Sequence, residues 1–333
     1  MKIAIIGCGL IGQKRAQVLS KMISQKDNHF TLAATVDSVQ SKAIALAQQF
    51  SHCEAFTNWR DVIDDPTIQI VMISTLHATL AEIAEAAVRA GKHVFIEKPA
   101  ARHVEELTSL MEAAKKSRSI VRVGFNHRYH RAFIKARELV DANELGELMF
   151  VRARYGHGGR VGYDKEWRAD PALSGGGELI DQGVHLIDLA RWFLGDFTEI
   201  QGHAHTYYWD MPVDDNGFLL LKTAKKQTAF LHASCTEWKN TFSFEIYGKH
   251  GKIDINGLGG SYGTERITFY KMLPEMGPPE TFMWEYPMAD NSWEVELTEF
   301  LSDIQHNRPS QPGLADAHAA LSVVGKIYDS SSL

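Results

Sequence analysis

The sequence predicts an α/β fold in two domains: a doubly wound parallel sheet, then an α+β domain with an open, mainly antiparallel sheet. The chain has 333 residues, which is more than one hydrophobic core usually supports. In its first third, strand segments that are apolar throughout alternate with helical patterns, as in a parallel sheet covered on both faces. Beyond residue 145 apolar and polar residues alternate, which indicates strands with one face away from the core.

The first domain, residues 1–123, is predicted to contain parallel strands separated by helices. The strands are 2–7, 30–37, 68–75, 93–99 and 119–125, and the helices are 11–22, 41–50, 80–91 and 103–116. Ser41 is placed to cap the second helix, and Gly91 to end the third. This order of elements is typical of a doubly wound sheet.

The second domain, residues 124–333, is predicted to be built on hairpins. Its strands are 147–155, 199–208, 216–223, 227–235, 241–248 and 265–271, with helices at 177–194 and 293–306. Short connections between the strands favour antiparallel neighbours. Large apolar residues occupy alternate positions of these strands, namely Phe218, Leu220, Phe230, Phe242 and Phe244. One face of the sheet must be covered, so the sequence predicts a homodimer or homotetramer formed through it.

Composition excludes several classes of protein. Hydrophobic residues make up 44% and charged residues 23% of the chain, which are ordinary globular values. The net charge is −6 without a basic tail, so we expect no nucleic-acid partner. No apolar run reaches the roughly 18–20 residues of a membrane helix, and the first apolar stretch is too short for a signal peptide. Cys8, Cys53 and Cys235 are scattered, which predicts free thiols and a cytoplasmic protein.

A glycine motif follows the first strand. Gly7, Gly9 and Gly12 form G-x-G-x-x-G between a strand and a helix, the context that this motif requires. The first glycine permits a tight turn, the second lets a pyrophosphate approach the backbone, and the third allows close helix packing. The helix start, including Leu10 and Ile11, faces the negative charge. The motif predicts a dinucleotide site, and the alternative is a glycine turn without a ligand.

Asp37 ends the second strand, where an acid accepts hydrogen bonds from an adenosine ribose. A carboxylate at this position repels a ribose phosphate, and no arginine follows in residues 38–40. We therefore expect NAD rather than NADP. The alternative interpretation is that Asp37 only begins the turn before the next helix.

Lys98 lies between Glu97 and Pro99 at the carboxyl end of the fourth strand. Doubly wound folds bind ligands at this edge of the sheet. A lysine near a cationic nicotinamide would have a lowered pKa, which helps proton transfer. The alternative is an ordinary surface lysine.

A glycine-rich turn leads into a helix that carries an acid and a histidine. Asp181 and His185 are four residues apart and share a helix face, with Asp188 close to it. A carboxylate can orient an imidazole and tune its pKa towards neutrality, which suits the removal of a hydroxyl proton. The alternatives are a surface ion pair or a metal pair. Two side chains are too few to hold a metal ion, and His203 and His205 are weak candidates for further ligands. No metal is therefore predicted.

These features together resemble the Gfo/Idh/MocA oxidoreductase family over essentially the whole chain. The resemblance rests on the glycine loop, Asp37, the segment AGKHVFIEKPAA (90–101), the antiparallel second domain and the pattern G-G-G-x-x-x-D-x-x-x-H-x-x-D at 175–188. It implies a Rossmann domain followed by an open-faced sheet domain, with NAD or NADP and a sugar-like or cyclitol substrate. It also implies that Lys98 contributes to catalysis and, with Glu97, contacts the cofactor.

One segment departs from the family pattern, in which Thr-Pro-Asn follows the third strand and a histidine follows three residues later. Here Leu76 takes the proline position, His77 the asparagine position and Leu80 the histidine position. We expect Thr75 and His77 still to border the cofactor.

Two further segments are candidate substrate contacts. Arg128 follows the last strand of the first domain and could meet a carboxylate or phosphate. Tyr163 and Arg168 lie in a polar loop before the glycine turn and could reach a sugar, although solvated loop charges are the alternative. The arrangement GHGGR…WR-x-D-P…SGGG resembles enzymes of surface-polysaccharide sugar metabolism, which favours a nucleotide-linked sugar.

The predicted function is hydride transfer between nicotinamide and a hydroxyl or keto carbon of a sugar. His185 is the predicted acid/base, with Lys98 and Asp181 polarising or relaying, and these roles are interchangeable at this stage. Alternatives are an inositol (cyclitol) dehydrogenase, an NAD-dependent glycosidase and a non-catalytic dinucleotide-binding sensor. A sensor would not need the acid/base set.

Overall fold

The structure is a computed structural model that describes residues 1–24 and 30–331. The chain forms two compact units. The first unit comprises Met1–Phe125 and Trp293–His318, and the second comprises Asn126–Ser292 and the segment that begins at Ala319. Residues 332 and 333 of the predicted second domain lie outside the described residues.

The first unit contains a parallel sheet with the strand order β3-β2-β1-β4-β5-β6. Its strands are β1 Lys2–Ile6, β2 Thr31–Val36, β3 Glu54–Phe56, β4 Ile68–Ile73, β5 His93–Glu97 and β6 Val121–Gly124. Its helices are α1 Leu10–Ile23, α2 Gln40–Ala47, α3 Trp59–Asp64, α4 His77–Arg89, α5 Glu106–Lys115 and α9 Ser292–Gln305. The predicted doubly wound parallel sheet is confirmed. Helix α2 begins at Gln40 with Val39 as its cap residue, so the predicted cap at Ser41 is wrong.

Helix α9 belongs to the core of the first unit. Leu297 and Phe300 are fully buried in that core, where the Phe300 ring lies 5.5 Å from the Phe95 ring, centroid to centroid. The predicted boundary at residue 124 assigned this helix to the second domain, and the structure departs from that division. Amphipathic periodicity shows that a helix has an apolar face, but it does not show which sheet the face packs against.

The second unit contains a mixed sheet with the order β14-β13-β12-β11-β7-β10-β9-β8. Its strands are β7 Leu148–Gly156, β8 Phe197–His205, β9 Asn216–Thr223, β10 Thr228–Ser234, β11 Thr241–Gly248, β12 Gly251–Asn256, β13 Glu265–Lys271 and β14 Glu280–Tyr286. Its helices are α6 Arg131–Asp141, α7 Pro171–Ser174 and α8 Val184–Leu194. Helix α10, Leu314–Ser331, is divided between the units: its residues up to His318 belong to the first unit and those from Ala319 belong to the second. Strands β7 and β10 pair in parallel, and the other neighbours pair antiparallel. The predicted mainly antiparallel sheet is confirmed, whereas the parallel pair was not predicted.

The two faces of this sheet differ. One face packs against α6 and α8, and it includes the buried Phe242 and Phe244. Phe218, Leu220 and Phe230 lie on the other face, where Leu220 is 39% and Phe230 48% exposed. The five residues that the sequence grouped as alternating stripes therefore belong to two opposite faces.

Among the helices of residues 1–24 and 30–331, none combines the length and apolar character needed to cross a membrane. The cysteines Cys8, Cys53 and Cys235 are free thiols, as predicted.

Candidate active site

The glycine loop connects β1 to α1. Gly7 has φ +94°, and a Cβ there would lie 2.5 Å from the carbonyl oxygen of Ser74. A Cβ at Gly12 would overlap the carbonyl oxygen of Gly7, whereas a Cβ at Gly9 would have no atom within 4 Å. Helix α1 begins at Leu10 directly after this open position. The first turn of a helix has backbone N–H groups without intrahelical acceptors, so this loop fits a pyrophosphate.

Asp37 lies against the glycine loop. Its Oδ2 accepts a hydrogen bond from the backbone N–H of Cys8 at 2.9 Å, and its Oδ1 accepts one from Val39 at 2.9 Å. The carboxylate therefore shapes the turn before α2 and also stands beside the loop that fits the dinucleotide. The bond to Val39 confirms the turn interpretation of Asp37, and the contact with an adenosine ribose stays a prediction.

We expect the variant Asp37→Asn to lose selectivity for NAD over NADP by roughly tenfold or more, because the negative charge that repels a ribose phosphate is gone. The amide oxygen can still accept the Cys8 N–H bond of the glycine loop, whereas the bond from the Val39 N–H in the turn before α2 is lost. The ratio of dissociation constants for NADH and NADPH, measured by nicotinamide fluorescence, checks this. Asp61→Asn on α3 is the matched control. An unchanged ratio would show that Asp37 only shapes the turn.

The other predicted cofactor residues lie at the same edge of the sheet. Strands β1, β4 and β5 are neighbours, and the backbone N–H of Ser74 donates to the carbonyl of Ile6 at 2.7 Å. Thr75 and the buried His77 follow the end of β4, and the half-buried Lys98 follows the end of β5. The structure therefore brings the glycine loop, Thr75, His77 and Lys98 to one edge of the first unit.

Glu97 is held inside the first unit by an arginine that sequence reasoning missed. Arg15, on α1 and fully buried, donates from Nε to Glu97 at 2.7 Å and pairs with Glu296 of α9 at 2.7 Å. Its guanidinium lies between two rings, 4.2 Å from the Phe95 centroid and 4.3 Å from that of Trp293. The carboxylate that precedes Lys98 thus has a fixed position at the end of β5.

This cluster predicts a pH-dependent stability. Two carboxylates share one guanidinium, and burial raises the pKa of Glu296 to about 7, against the attraction of Arg15 and with the repulsion of Glu97. The folded state then keeps a proton that the unfolded state has lost, so stability falls as pH rises from about 4.5 to about 7.

We expect Glu296→Gln to remove this contribution, which is on the order of 3 kcal/mol between pH 5 and pH 8. Urea unfolding at both pH values measures it. Glu299→Gln, an exposed position on the same helix, is the control. Equal changes of unfolding free energy with pH for the wild type and Glu296→Gln would contradict the explanation that Glu296 keeps a proton in the folded state.

In the second unit, Asp181 lies in a π-helical turn, Leu179–Gly183, that continues into α8. A π-helical turn is wider than an α-helical one, and such turns are frequent at functional sites. The sequence predicted Asp181 and His185 on one face of a regular helix, and the structure differs in this local geometry. Both residues are buried, and Oδ2 of Asp181 accepts a hydrogen bond from Nε of Arg168 at 2.9 Å.

The His185 imidazole is held by aromatic contacts. Its ring stacks on that of His127, with centroids 3.7 Å apart, and the ring of Tyr155 lies edge-on at 6.3 Å. His127 is itself in contact with Asn126, whose Oδ1 lies 3.2 Å from Nδ1. Stacking fixes the plane of the imidazole, which a general base needs. Sequence reasoning did not single out His127 or Tyr155.

Glu178, one turn before Asp181, was also missed. It is buried, its Oε2 accepts a hydrogen bond from the Tyr163 hydroxyl at 3.3 Å, and its Oε1 lies 3.5 Å from Nε2 of His157. Burial alone would lower the pKa of His157, but Glu178 raises it above the ordinary histidine value. Tyr163 and Arg168, predicted as substrate contacts, are thus both bonded to carboxylates of the segment that leads into α8.

Arg128 lies on Asp188 of α8. Its Nε and Nη2 donate to the two carboxylate oxygens at 2.8 and 2.6 Å, and both side chains are buried. The carboxylate that Arg128 meets is therefore one of the chain's own. We assign this pair to positioning α8, the helix that carries His185.

Within the described ranges, no group of three or more His, Cys, Asp or Glu side chains is arranged to hold a metal ion. His203 and His205 lie on β8 with their ring centroids 5.6 Å apart.

The fold and the glycine loop define a two-unit dinucleotide-binding protein. Residues 1–125 match the family model described as the oxidoreductase family with an NAD-binding Rossmann fold, and residues 133–254 match the GFO/IDH/MocA C-terminal domain. The chain belongs to the Gfo/Idh/MocA family of oxidoreductases. Its first unit is that family's NAD-binding Rossmann domain, which confirms the predicted family and cofactor.

Several curated relatives of this chain are named as dehydrogenases. Levoglucosan dehydrogenase of Pseudarthrobacter phenanthrenivorans is 32% identical over 249 residues, 64% of this chain and 62% of that protein. Inositol 2-dehydrogenase 2 of Saccharopolyspora erythraea is 30% identical over 62% of this chain and 57% of that protein. The chain thus spans less than two thirds of the length of these relatives. A solved levoglucosan dehydrogenase with NADH and levoglucosan has a TM-score of 0.88 at 24% identity, covering 100% of this chain and 97% of that one. It shows the same fold.

Proposed function

We propose that the protein is an NAD-dependent oxidoreductase that transfers hydride between nicotinamide and a hydroxyl-bearing carbon of a sugar or cyclitol. The observation that carries this proposal is the buried His185 imidazole, stacked on His127 and accompanied by Asp181. The glycine loop of the first unit supplies the cofactor site. The names of the relatives, levoglucosan and inositol dehydrogenases, support the substrate class.

Bound NAD would supply the hydride acceptor, and the chain's own residues would handle the proton and the positions of the groups. His185 takes the hydroxyl proton during oxidation and returns it during reduction. Asp181, oriented by Arg168, holds the substrate oxygen or the imidazole. Lys98, at the end of β5, contacts the cofactor and polarises the reacting oxygen. Glu97, bonded to Arg15, sets the strand end from which Lys98 projects.

The charges of the second unit favour an uncharged substrate over the nucleotide-linked sugar that the sequence favoured. The guanidinium groups of Arg128 and Arg168 are bonded to Asp188 and Asp181, and Glu178 adds a further buried carboxylate. A diphosphate would have to displace these carboxylates from the arginines. A free or glycosidically linked sugar, or an inositol, brings no such charge.

Nicotinamide absorbance with NAD⁺ or NADP⁺ and a substrate panel tests the function. The panel contains levoglucosan, glucose, cellobiose, myo-inositol and UDP-glucose. We expect NADH formation with at least one uncharged member. Turnover of UDP-glucose alone would overturn the choice of substrate. Bound NAD without turnover would indicate a sensor, and glycoside cleavage without net NADH would indicate a glycosidase.

We also propose that the protein forms a homodimer or homotetramer through the open face of the second sheet. Phe150, Leu220 and Phe230 are exposed on this face, and a partner subunit would remove them from water. Sedimentation at micromolar concentration should show an oligomer that Phe230→Glu weakens. A monomeric wild type would contradict the proposal. The free thiols support a reducing, cytoplasmic location, which cell fractionation tests.

A further inference from the structure

Four aromatic rings lie one after another in loops of the second unit. We call Tyr163, Tyr208, Trp209 and Trp238 the aromatic surface. Successive ring centroids are 5.6 Å apart from Tyr163 to Trp209, 5.3 Å from Trp209 to Tyr208 and 4.6 Å from Tyr208 to Trp238. Tyr163 is buried, whereas Tyr208 is 61% and Trp238 63% exposed.

The inner end of the aromatic surface lies at the candidate site. The Tyr163 hydroxyl donates to Glu178 at 3.3 Å, and Glu178 stands one helical turn before Asp181. The His157 ring lies 5.5 Å from the Tyr163 ring. The row of rings therefore leads from the buried Tyr163, beside the candidate site, to the exposed Tyr208 and Trp238.

The loop that carries Tyr208 and Trp209 is held by a buried carboxylate. Asp215 is fully buried and accepts backbone N–H bonds from Tyr207 at 2.9 Å, Tyr208 at 2.7 Å and Trp209 at 3.1 Å. The Trp209 indole also donates to the carbonyl of Cys235 at 3.0 Å. Burying a carboxylate is unfavourable unless it is well hydrogen-bonded, so these bonds fix the loop while the Tyr208 ring stays in water.

Two glycines of the GHGGR segment lie against residues of the aromatic surface. A Cβ at Gly158 would lie 3.1 Å from the Cα of Trp238, and a Cβ at Gly159, where φ is +67°, would overlap the Trp209 ring. Trp238 itself has φ +55°, a left-handed conformation that is rare for a bulky residue. Strained residues cluster at ligand-binding sites, where the surrounding structure holds them.

From these observations we propose that the aromatic surface binds a second sugar ring, glycosidically linked to the sugar that reacts. This inference rests on the proposed function and extends it to glycosides. The C–H faces of a pyranose pack against aromatic rings, whose π faces carry partial negative charge. Arg160, 5.8 Å from the Tyr163 centroid, is paired with Glu166 at 2.6 Å. Because Arg160 is paired and Glu178 adds a carboxylate at the inner end, this environment disfavours the diphosphate that joins a sugar to a nucleoside.

The test compares Trp238→Ala and Tyr208→Ala with the wild type on cellobiose, maltose and glucose. We expect kcat/KM for a disaccharide to fall about tenfold relative to that for glucose, because stacking on the second ring is lost. Tyr207→Ala is the matched control, since this exposed neighbour packs on His205 instead, at 4.9 Å. Trp238→Phe keeps a ring and should recover most of the loss.

A binding measurement separates this inference from the proposed function. Titration of cellobiose against tryptophan fluorescence should show saturable quenching that Trp238→Ala abolishes, and this result supports the site even if no sugar is oxidised. Equal losses for glucose and disaccharides, or no loss, would overturn the inference while leaving the function intact. A loss confined to UDP-glucose, or a change only in sedimentation, would overturn it in favour of a nucleobase or a second copy of the chain.

Discussion

Replacing His185 by asparagine will lower kcat by about 10²–10⁴-fold while the dissociation constant of NADH stays unchanged. General acid–base catalysis by a positioned side chain contributes an effect of this size. The His185 ring is buried and stacked on His127 at 3.7 Å, so its position is fixed by contacts within the second unit. Asparagine preserves polarity at this position but cannot exchange a proton near neutral pH.

Steady-state kinetics and NADH fluorescence titration measure the two quantities. His250→Asn, an exposed histidine in the turn after β11, is the matched control and should leave both unchanged. Full turnover by His185→Asn would remove this residue from the acid/base role and transfer the role to Lys98 or Asp181.

Comparison with Lys98→Met and Asp181→Asn assigns the interchangeable roles. Loss of a limb of the pH profile of kcat identifies the group that moves the proton, whereas a uniform loss at every pH identifies a polarising group. Full turnover by Lys98→Met with unchanged NADH affinity would show that the lysine takes no part in the reaction.

Replacing Asp188 by asparagine will lower the free energy of unfolding by about 3–5 kcal/mol, because it leaves a buried guanidinium without its anion. Asp188 and Arg128 are both buried and bonded through two N–H groups, at 2.8 and 2.6 Å. Replacing both members, as Arg128→Met with Asp188→Leu, should recover most of the loss, since neither charge then remains in the interior.

Denaturant unfolding of the single and double variants makes this measurement. Glu147→Gln removes the exposed ion pair with Lys249, 2.6 Å long, and should change the unfolding free energy by less than about 1 kcal/mol. A loss for Asp188→Asn as small as that of this control would show that Arg128 is solvated and available to a substrate.

Local patterns predicted the parts of the fold that depend on local chemistry. The apolar strands β1, β4 and β5 and the glycine loop were recognised because burial on both faces and a tight turn leave direct marks in the sequence. The strands β3, β12 and β14 were missed. The residues of β3 and β14 are mostly exposed and carry no apolar alternation, whereas β12 is a short hairpin partner of β11 with only two large apolar residues, Ile253 and Ile255.

Contacts between distant residues could not be predicted. Arg15 and Glu97 are 82 positions apart, and an arginine in the first helix has no property that indicates a buried carboxylate partner. The same holds for Arg128 and Asp188, 60 positions apart. The π-helical turn at Asp181 depends on how the segment packs under the sheet, so helical periodicity described it as a regular helix.

The most direct test of the central proposal is the fate of the hydrogen on the substrate carbon. Glucose, cellobiose and myo-inositol, each deuterated at the ring carbons, are incubated with the protein and NAD⁺, and the nicotinamide product is analysed by mass spectrometry. Hydride transfer predicts NADH that carries one deuterium at C4, formed in step with the oxidised substrate. Recovery of NAD⁺ and substrate unchanged, with the cofactor bound, would contradict an oxidoreductase acting on these polyols.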